Sequence, residues 1–251
     1  MPEWLTAGLW GLLAGSALII GALIGYFAKI SQRWIAAIMA FGSGVLISAL
    51  SFDLMDEAYK TGGFDSTAIG FVSGAFIYTI ANVLLAKKGA KHRKRSGNKQ
   101  PSEEENSGSG MAIALGSLLD GVPESIVIGV SMIKSGAVSM VAVIAIFLSN
   151  VPEGLSSAAG MKKAGRPARY IFSIWMGIAI ISGLASLCGF VIFDGFSADV
   201  IAATTAVAAG AILAMLTDTM IPEAFDVAHN YAGLITVVGF LCAFLLSKFG
   251  G

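Results

Sequence analysis

Charged residues are scarce in this sequence. Asp, Glu, Lys and Arg make up 13% of its 251 residues, whereas soluble domains carry about 25%. Positive and negative side chains balance to a formal net charge of zero, so the composition provides no general attraction to nucleic acid. The two cysteines, Cys188 and Cys242, lie far apart in apolar stretches, where we expect small buried side chains rather than a disulfide or a metal site.

Histidine is also rare, and no ATP-binding motif is present. His92 lies in a basic stretch, and His229 comes just before the last apolar stretch. We expect both histidines at the surface, so neither is a candidate ligand in the interior.

Apolar residues dominate the rest of the chain. Hydrophobic residues make up 56% of it, and its mean hydropathy is +0.80. A helix that crosses a bilayer needs about 20 mainly apolar residues, and the 31 glycines suit helices that approach closely in lipid. We therefore predict an all-α integral membrane protein, a single transmembrane domain over 1–251. Its eight predicted helices are 5–28, 34–57, 66–86, 111–133, 137–161, 168–193, 199–224 and 230–249.

One polar segment interrupts the apolar pattern. Residues 87–110 read KKGAKHRKRSGNKQPSEEENSGSG, a low-complexity composition that is typical of a flexible loop. Thirteen of the 16 Lys and Arg residues lie in this segment or in the breaks near 29–33 and 162–169. The positive-inside rule therefore predicts that these three breaks are cytoplasmic and that both termini lie outside a cell (inner) membrane.

Two Pro-Glu motifs lie inside predicted helices. They read DGVPES at 120–125 and SNVPEG at 149–154. Ionisable groups at membrane depth are costly, so they usually face a polar interior and mark an ion or substrate pathway. Proline removes a backbone N–H and frees the carbonyl four residues earlier, which offers a further oxygen ligand. The prolines expected to break helices in this way are Pro123, Pro152 and Pro222.

The polar side chains of the two motifs fall on shared helix faces. Asp120 and Glu124 are four residues apart in the fourth helix. In the fifth helix, Ser149 and Asn150 precede Glu153 by four and three residues. If these helices face each other, the five side chains converge on one cation site. Five further acids are candidates for the ion pathway or its entrance, although some lie near helix ends: Asp53, Asp56, Glu57, Asp218 and Glu223.

Two parts of the chain match each other. Gly44 and Glu57 in the second predicted helix recur 166 residues later as Gly210 and Glu223 in the seventh. These helices run in opposite directions across the membrane, as do the two that carry the Pro-Glu motifs. Opposed matches are typical of inverted-repeat transporters. We therefore predict that helices 1–3 are related to helices 6–8, with helices 4 and 5 at the centre.

With these motifs and this topology, the sequence resembles the ZIP (Zrt/Irt-like) family of divalent metal transporters. The family's fourth and fifth helices carry His-Asn-x-Pro-Glu-Gly, which 120–125 matches at Pro and Glu, and 149–154 at Asn, Pro, Glu and Gly. Its seventh helix ends in a sequence like the Ile-Pro-Glu-Ala at 221–224. The resemblance implies uptake of a divalent metal into the cytoplasm through a carboxylate-lined site between helices 4 and 5. It implies no enzyme activity and no cofactor besides the transported ion.

The sequence departs from the family at the motif histidines. Asp120 and Ser149 stand in their places, and Gly121 replaces the first motif's Asn. Ser186 stands where the sixth helix of the family carries a bridging acid. These departures argue against the two-metal site of the family, and a single site built from Asp120, Glu124, Asn150 and Glu153 remains open. Since carboxylate oxygens suit harder ions than imidazole does, we expect manganese or ferrous iron to be preferred over zinc.

Other functions remain open. A membrane metal sensor or regulatory protein that binds metal without moving it would also fit the missing histidines. An intramembrane aspartyl hydrolase needs two acids that share a proton, and no accompanying catalytic motif is present. Within the transport class, a proton or organic-solute carrier is an alternative. The glycine-rich helix faces fit packing within one bundle or between the subunits of a homodimer.

Overall fold

The computed structural model describes residues 1–249, apart from the side chains of 134 and 135, and all regular structure in this range is helical. The α-helices are α1 (Glu3–Phe27), α2 (Gln32–Ala49), α3 (Met55–Ala86), α4 (Ser109–Ser135), α5 (Met140–Lys163), α6 (Ala168–Phe193), α7 (Ala198–Met215), α8 (Ile221–Ala228) and α9 (Ala232–Phe249). Two π-helical segments, Leu50–Leu54 and Leu216–Met220, join α2 to α3 and α7 to α8. Short 3₁₀ turns follow α3 and α8, at Ala90–His92 and His229–Tyr231.

Six helical stretches within 1–249 are long and apolar enough to cross a membrane. Four of them are single helices, α1, α4, α5 and α6. The other two, Gln32–Ala86 and Ala198–Phe249, contain 55 and 52 residues, which is more than twice the length that one crossing needs. Each of these two stretches has one residue with positive φ, Gly63 at 71° and His229 at 44°, where the regular helical path is broken.

Close helix pairs build the bundle. α1 packs along α5, α4 along α6, α2 along α9 and α3 along α7. Glycine allows this approach: a Cβ atom on Gly44 would lie 1.9 Å from the backbone oxygen of Thr236 in α9. A Cβ atom on Gly210 of α7 would lie equally close, 1.9 Å, to the backbone oxygen of Phe71 in α3. Small residues at such contacts let helix backbones pack tightly where lipid provides no hydrophobic driving force.

Apolar side chains also cover the outside of the bundle. Ile69 and Val72 of α3 and Leu234 of α9 are examples of large exposed residues. Cys188 and Cys242 are free and exposed as well, so the expectation that they are buried is wrong. A thiol behaves as a small apolar group, and it therefore fits an outer surface that is itself apolar.

Candidate functional site

The acids of both Pro-Glu motifs lie inside the bundle. Asp120 and Glu124 of α4 are each 2% exposed, and Glu153 of α5 is 4% exposed. Pro123 and Pro152 lie within α4 and α5, which continue through them. The motif carboxylates therefore form part of a buried polar centre and do not face the apolar outside.

Arg93 pairs with Asp120. Its guanidinium group is buried and donates from Nε to Oδ2 and from Nη2 to Oδ1, both at 2.8 Å. The Tyr78 hydroxyl donates to Asp120 Oδ1 at 2.7 Å, and Arg93 Nη1 donates to Asn82 Oδ1 at 2.9 Å. Bidentate, charge-assisted hydrogen bonds are among the strongest that proteins make. Asp120 is thus held by donors from α3 and from the segment that follows it.

Lys94 joins the carboxylates of the two motifs. Its Nζ atom lies 2.7 Å from Glu153 Oε2 and 3.3 Å from Asp120 Oδ2. Met215 Sδ lies 3.0 Å from the same nitrogen. Burial by itself lowers the pKa of Lys94, but the carboxylates of Asp120 and Glu153 outweigh it, so the pKa is raised above its usual value. Acids from α4 and α5 therefore meet around one cationic group, which belongs to the protein.

Glu124 lacks a comparable partner. Its Oε2 atom is buried and has no hydrogen-bond partner in the part of the chain that the structure describes. Glu153, Lys94 and Asp120 are near enough to interact with it electrostatically. When all are ionised, three carboxylates face two basic side chains, which leaves one negative charge unbalanced. Such a group is costly in a buried site unless a cation or a proton joins it.

Two other motif side chains bond to backbone carbonyls. The Asn150 amide donates to the carbonyl of Ala14 on α1 at 3.0 Å. The Ser149 hydroxyl donates to the carbonyl of Ile146 on its own helix at 2.9 Å. Ser186, at the position of the missing bridging acid, donates to the carbonyl of Ala7 at 2.7 Å. Asn150 and Ser186 thus join α5 and α6 to α1, whereas Ser149 bonds within its own helix.

Two of the predicted pathway acids lie beside the basic segment. Glu223 is buried and accepts hydrogen bonds from the backbone N–H and hydroxyl of Ser96 at 3.0 and 3.1 Å. It also pairs with Arg95 at 3.1 Å, and Pro222 precedes it in the first turn of α8. Asp218 is exposed and accepts a hydrogen bond from the Asn82 amide at 3.2 Å. Asn82 thereby connects Asp218 to Arg93.

The other three predicted pathway acids lie where α2 joins α3. Asp53 Oδ1 accepts a hydrogen bond from Ser247 of α9 at 3.0 Å, while its Oδ2 atom is buried without a partner among residues 1–249. Asp56 forms a surface ion pair with Lys60 at 2.6 Å, and Glu57 is half-buried. An exposed pair of this kind contributes little to stability.

Much of the polar segment between α3 and α4 is folded against the helices. Gln100 donates from its amide to three backbone carbonyls, two within residues 93–100 and one at Ser157 of α5. Ser156 and Lys163, also on α5, donate to two further carbonyls of that range. We call residues 93–100 the basic plug, because they fill the space between α4, α5 and α8.

Sequence reasoning missed the two basic residues of the site, Arg93 and Lys94. It assigns them to a solvated loop because their surroundings are polar and lack any helical or strand periodicity. One signal in the sequence points to them. Acids inside apolar helices need counter-charges, and a cluster of basic residues lies between α3 and α4.

The basic side chains also decide what the site can hold. Among residues 1–249, no group of three or more His, Cys, Asp and Glu side chains lies in a position to hold a metal ion. Arg93 and Lys94 lie against the acids that would form such a group. The positive charge next to Asp120 and Glu153 is therefore that of Arg93 and Lys94.

Comparison with known proteins gives one line of support. No protein-family model matches the chain. A protein of Arabidopsis thaliana with the name "Putative zinc transporter At3g08650" is 24% identical to it over 227 residues. The match covers 89% of this chain and 35% of the Arabidopsis protein, so the chain spans about a third of the length of that relative.

Proposed function

We propose that the protein is a membrane transporter of divalent metal cations, similar to the ZIP family, and that Asp120, Glu124 and Glu153 bind the metal. The observation that carries this proposal is that Asp120 and Glu153 share one ammonium group. Buried carboxylates from two helices that share one cation are also positioned to share a metal ion. Glu124 supplies a third acid whose charge is not balanced. The name of the Arabidopsis relative supports a metal ion as the substrate.

The proposal includes eight membrane crossings arranged as an inverted repeat. Three observations support it. The π-helical segments begin at Leu50 and Leu216, 166 residues apart, which is the spacing that relates Gly44 to Gly210. The two longest helical stretches each break at one residue with positive φ. The helix pairs also correspond between the two proposed repeats. α2 packs on α9 as α7 packs on α3, and α1 packs on α5 as α6 packs on α4. Such repeats place the substrate site where they meet.

The direction of transport and the choice of metal are parts of the same proposal. The basic breaks face the cytoplasm, both termini lie outside, and metal moves inward while one group of helices rocks against the other. Carboxylate ligands favour manganese or ferrous iron over zinc. Ser149 and Asn150 join the ligands only if their side chains leave the carbonyls that they now contact. Asp53, Asp56, Glu57, Asp218 and Glu223 line the route or its entrance.

Metal flux into proteoliposomes tests this function. We expect uptake of manganese, ferrous iron or zinc by the wild-type protein, and a loss of at least tenfold in Glu124→Gln and Glu153→Gln, which keep the side-chain shape but remove the charge. Asp194→Asn is the matched control, because Asp194 lies exposed in the turn between α6 and α7. Equal flux in all variants would remove both glutamates from the pathway. A strong preference for zinc would reject the proposed selectivity.

A non-transporting metal sensor is the second candidate, and one observation favours it. Basic side chains already pair with Asp120 and Glu153, so these two acids do not need a transported ion to balance their charge. A sensor of this kind would bind metal and rearrange the basic plug without flux. Saturable metal binding to purified protein, together with no uptake above empty liposomes, would select this function over transport.

A further inference from the structure

We propose that Lys94 is a tethered substitute for the metal substrate, whose ammonium group fills the carboxylate site and leaves it when a divalent cation binds. This inference rests on the proposed function, because it concerns the same site. It assigns the basic plug a direct part in the binding cycle.

The surroundings of the Lys94 ammonium group support an exchange with metal. Its contacts are Glu153 Oε2, Asp120 Oδ2 and Met215 Sδ. Carboxylate oxygen and thioether sulfur are both metal-ligand atoms. An ammonium group in a purely structural role could equally bind backbone carbonyls, as Lys163 does with the carbonyl of Ser96. The tip of Lys94 therefore lies where a metal ion would find its ligands.

The charges of the site favour exchange over simple addition. With Arg93 and Lys94 in place and all three carboxylates ionised, the site has a net charge of −1. Departure of Lys94 would change it to −2, which one divalent cation balances. Addition of the cation without this departure would give +1 in a buried site, and uncompensated buried charge is strongly unfavourable. The divalent ion and the Lys94 side chain are thus alternatives.

Arg93 and Lys94 differ in how firmly they are held. Arg93 makes two hydrogen bonds to Asp120 and others to Asn82 and Tyr78. Because its guanidinium group is planar and its donors point in fixed directions, these bonds together hold it in one orientation. Lys94 is a point charge on a flexible stem, and its contacts are less directional. We therefore assign Arg93 to the fixed framework of the site and Lys94 to the exchangeable position.

The part of the basic plug that follows Arg93, residues 94–100, is attached in a way that permits its release. Residues 94–100 are all polar or glycine, and hydrogen bonds and ion pairs such as those of Gln100, Ser96 and Arg95 join them to α5 and α8. Segments held by few apolar contacts open more easily than the helices around them. Release would uncover Ser96, which is 2% exposed, while Asn98 is already exposed.

Metal affinity provides the first test. Titration calorimetry of the purified protein with Mn²⁺ and Zn²⁺ should show a Kd at least tenfold lower in Lys94→Met, which lacks the competing charge. Lys94→Arg keeps the charge and should bind no more tightly than the wild type. Lys91→Met is the matched control, since Lys91 is an exposed lysine of the same segment, and its Kd should stay within twofold of the wild-type value.

Accessibility provides a second test that does not change Lys94. In a Cys188→Ala/Cys242→Ala background, we expect Mn²⁺ or Zn²⁺ to raise the rate at which a water-soluble maleimide labels Ser96→Cys by at least fivefold. Labelling of Asn98→Cys should stay constant, because that position is exposed in both states. Half of the increase should occur at the metal concentration that equals the Kd.

The outcomes separate this inference from the proposed function. If monodisperse wild-type and Lys94→Met proteins bind metal equally well and the labelling of Ser96→Cys does not respond, the role of Lys94 is overturned while metal binding stands. If neither protein binds Mn²⁺ or Zn²⁺, the proposed function fails, and the inference fails with it.

Discussion

Removal of the Arg93 side chain should destabilise the protein strongly. Asp120 is 2% exposed in the wild-type protein, and in Arg93→Ala it loses both arms of a bidentate ion pair at 2.8 Å. Breaking a buried pair by removal of one partner typically costs about 3–5 kcal/mol. Lys94 and Tyr78 still contact Asp120, so we expect a cost of about 3 kcal/mol, near the lower limit.

The thermal midpoint measures this loss. For proteins of 150–250 residues, a change of 1 kcal/mol shifts Tm by roughly 2–4 °C, so Arg93→Ala should lower Tm by roughly 6–12 °C in detergent. Arg93→Ala/Asp120→Asn should recover at least half of that loss, since the buried charge is absent. Lys91→Ala, at an exposed position of the same segment, should stay within about 1 °C of the wild type.

Two results would refute this reasoning. One is a fall in Tm of less than about 3 °C for Arg93→Ala, which would mean that Asp120 regains water or another cation when the arginine is removed. The other is a double variant whose change in the free energy of unfolding equals the sum of the changes in the two single variants. Residues that form one hydrogen-bonded network should show an interaction energy above about 0.5 kcal/mol in a double-mutant cycle.

Two further predictions concern helix packing and pH. Gly44→Ala should lower the free energy of unfolding by about 1–3 kcal/mol or more, because the added Cβ would lie 1.9 Å from the Thr236 backbone oxygen. Gly177→Ala is the control: no atom lies within 4 Å of its added Cβ, so the free energy of unfolding should change by no more than about 1 kcal/mol. Hydrogen bonds from two backbone N–H groups at the start of α4 lower the pKa of Glu103. That stabilisation is complete above the usual pKa of 4.5 and is lost as the pH falls through the lowered value, so the Tm advantage of the wild type over Glu103→Gln should disappear on acidification.

The sequence was sufficient to locate the buried acids, because the cost of charge in an apolar helix is a local property. Asp120, Glu124 and Glu153 lie in stretches whose neighbours are apolar for many residues, and burial follows from that context. The spacing of 166 residues between Gly44 and Gly210 also separates the starts of the two π-helical segments, Leu50 and Leu216.

The positions of Arg93 and Lys94 follow from contacts that are distant in sequence. Arg93 meets Asp120 across 27 residues, and Lys94 meets Glu153 across 59. Because composition is judged over a stretch of neighbouring residues, it predicts that both residues lie in a solvated loop. The free energy that buries them comes from carboxylates on other helices, which a local pattern does not contain.

The order of charges along 87–110 has a physical explanation in the structure. Its basic first part faces acids of the bundle, among them Asp120, Glu153 and Glu223. Its acidic second part includes Glu103, which accepts hydrogen bonds at the start of α4, where the helix dipole favours negative charge. If the two blocks were exchanged, acidic side chains would lie beside the acids of the bundle, and basic side chains would lie at the positive end of the α4 dipole. The charge pattern therefore selects one way of folding the segment onto the helices, and it brings a cation to the carboxylate site as a consequence.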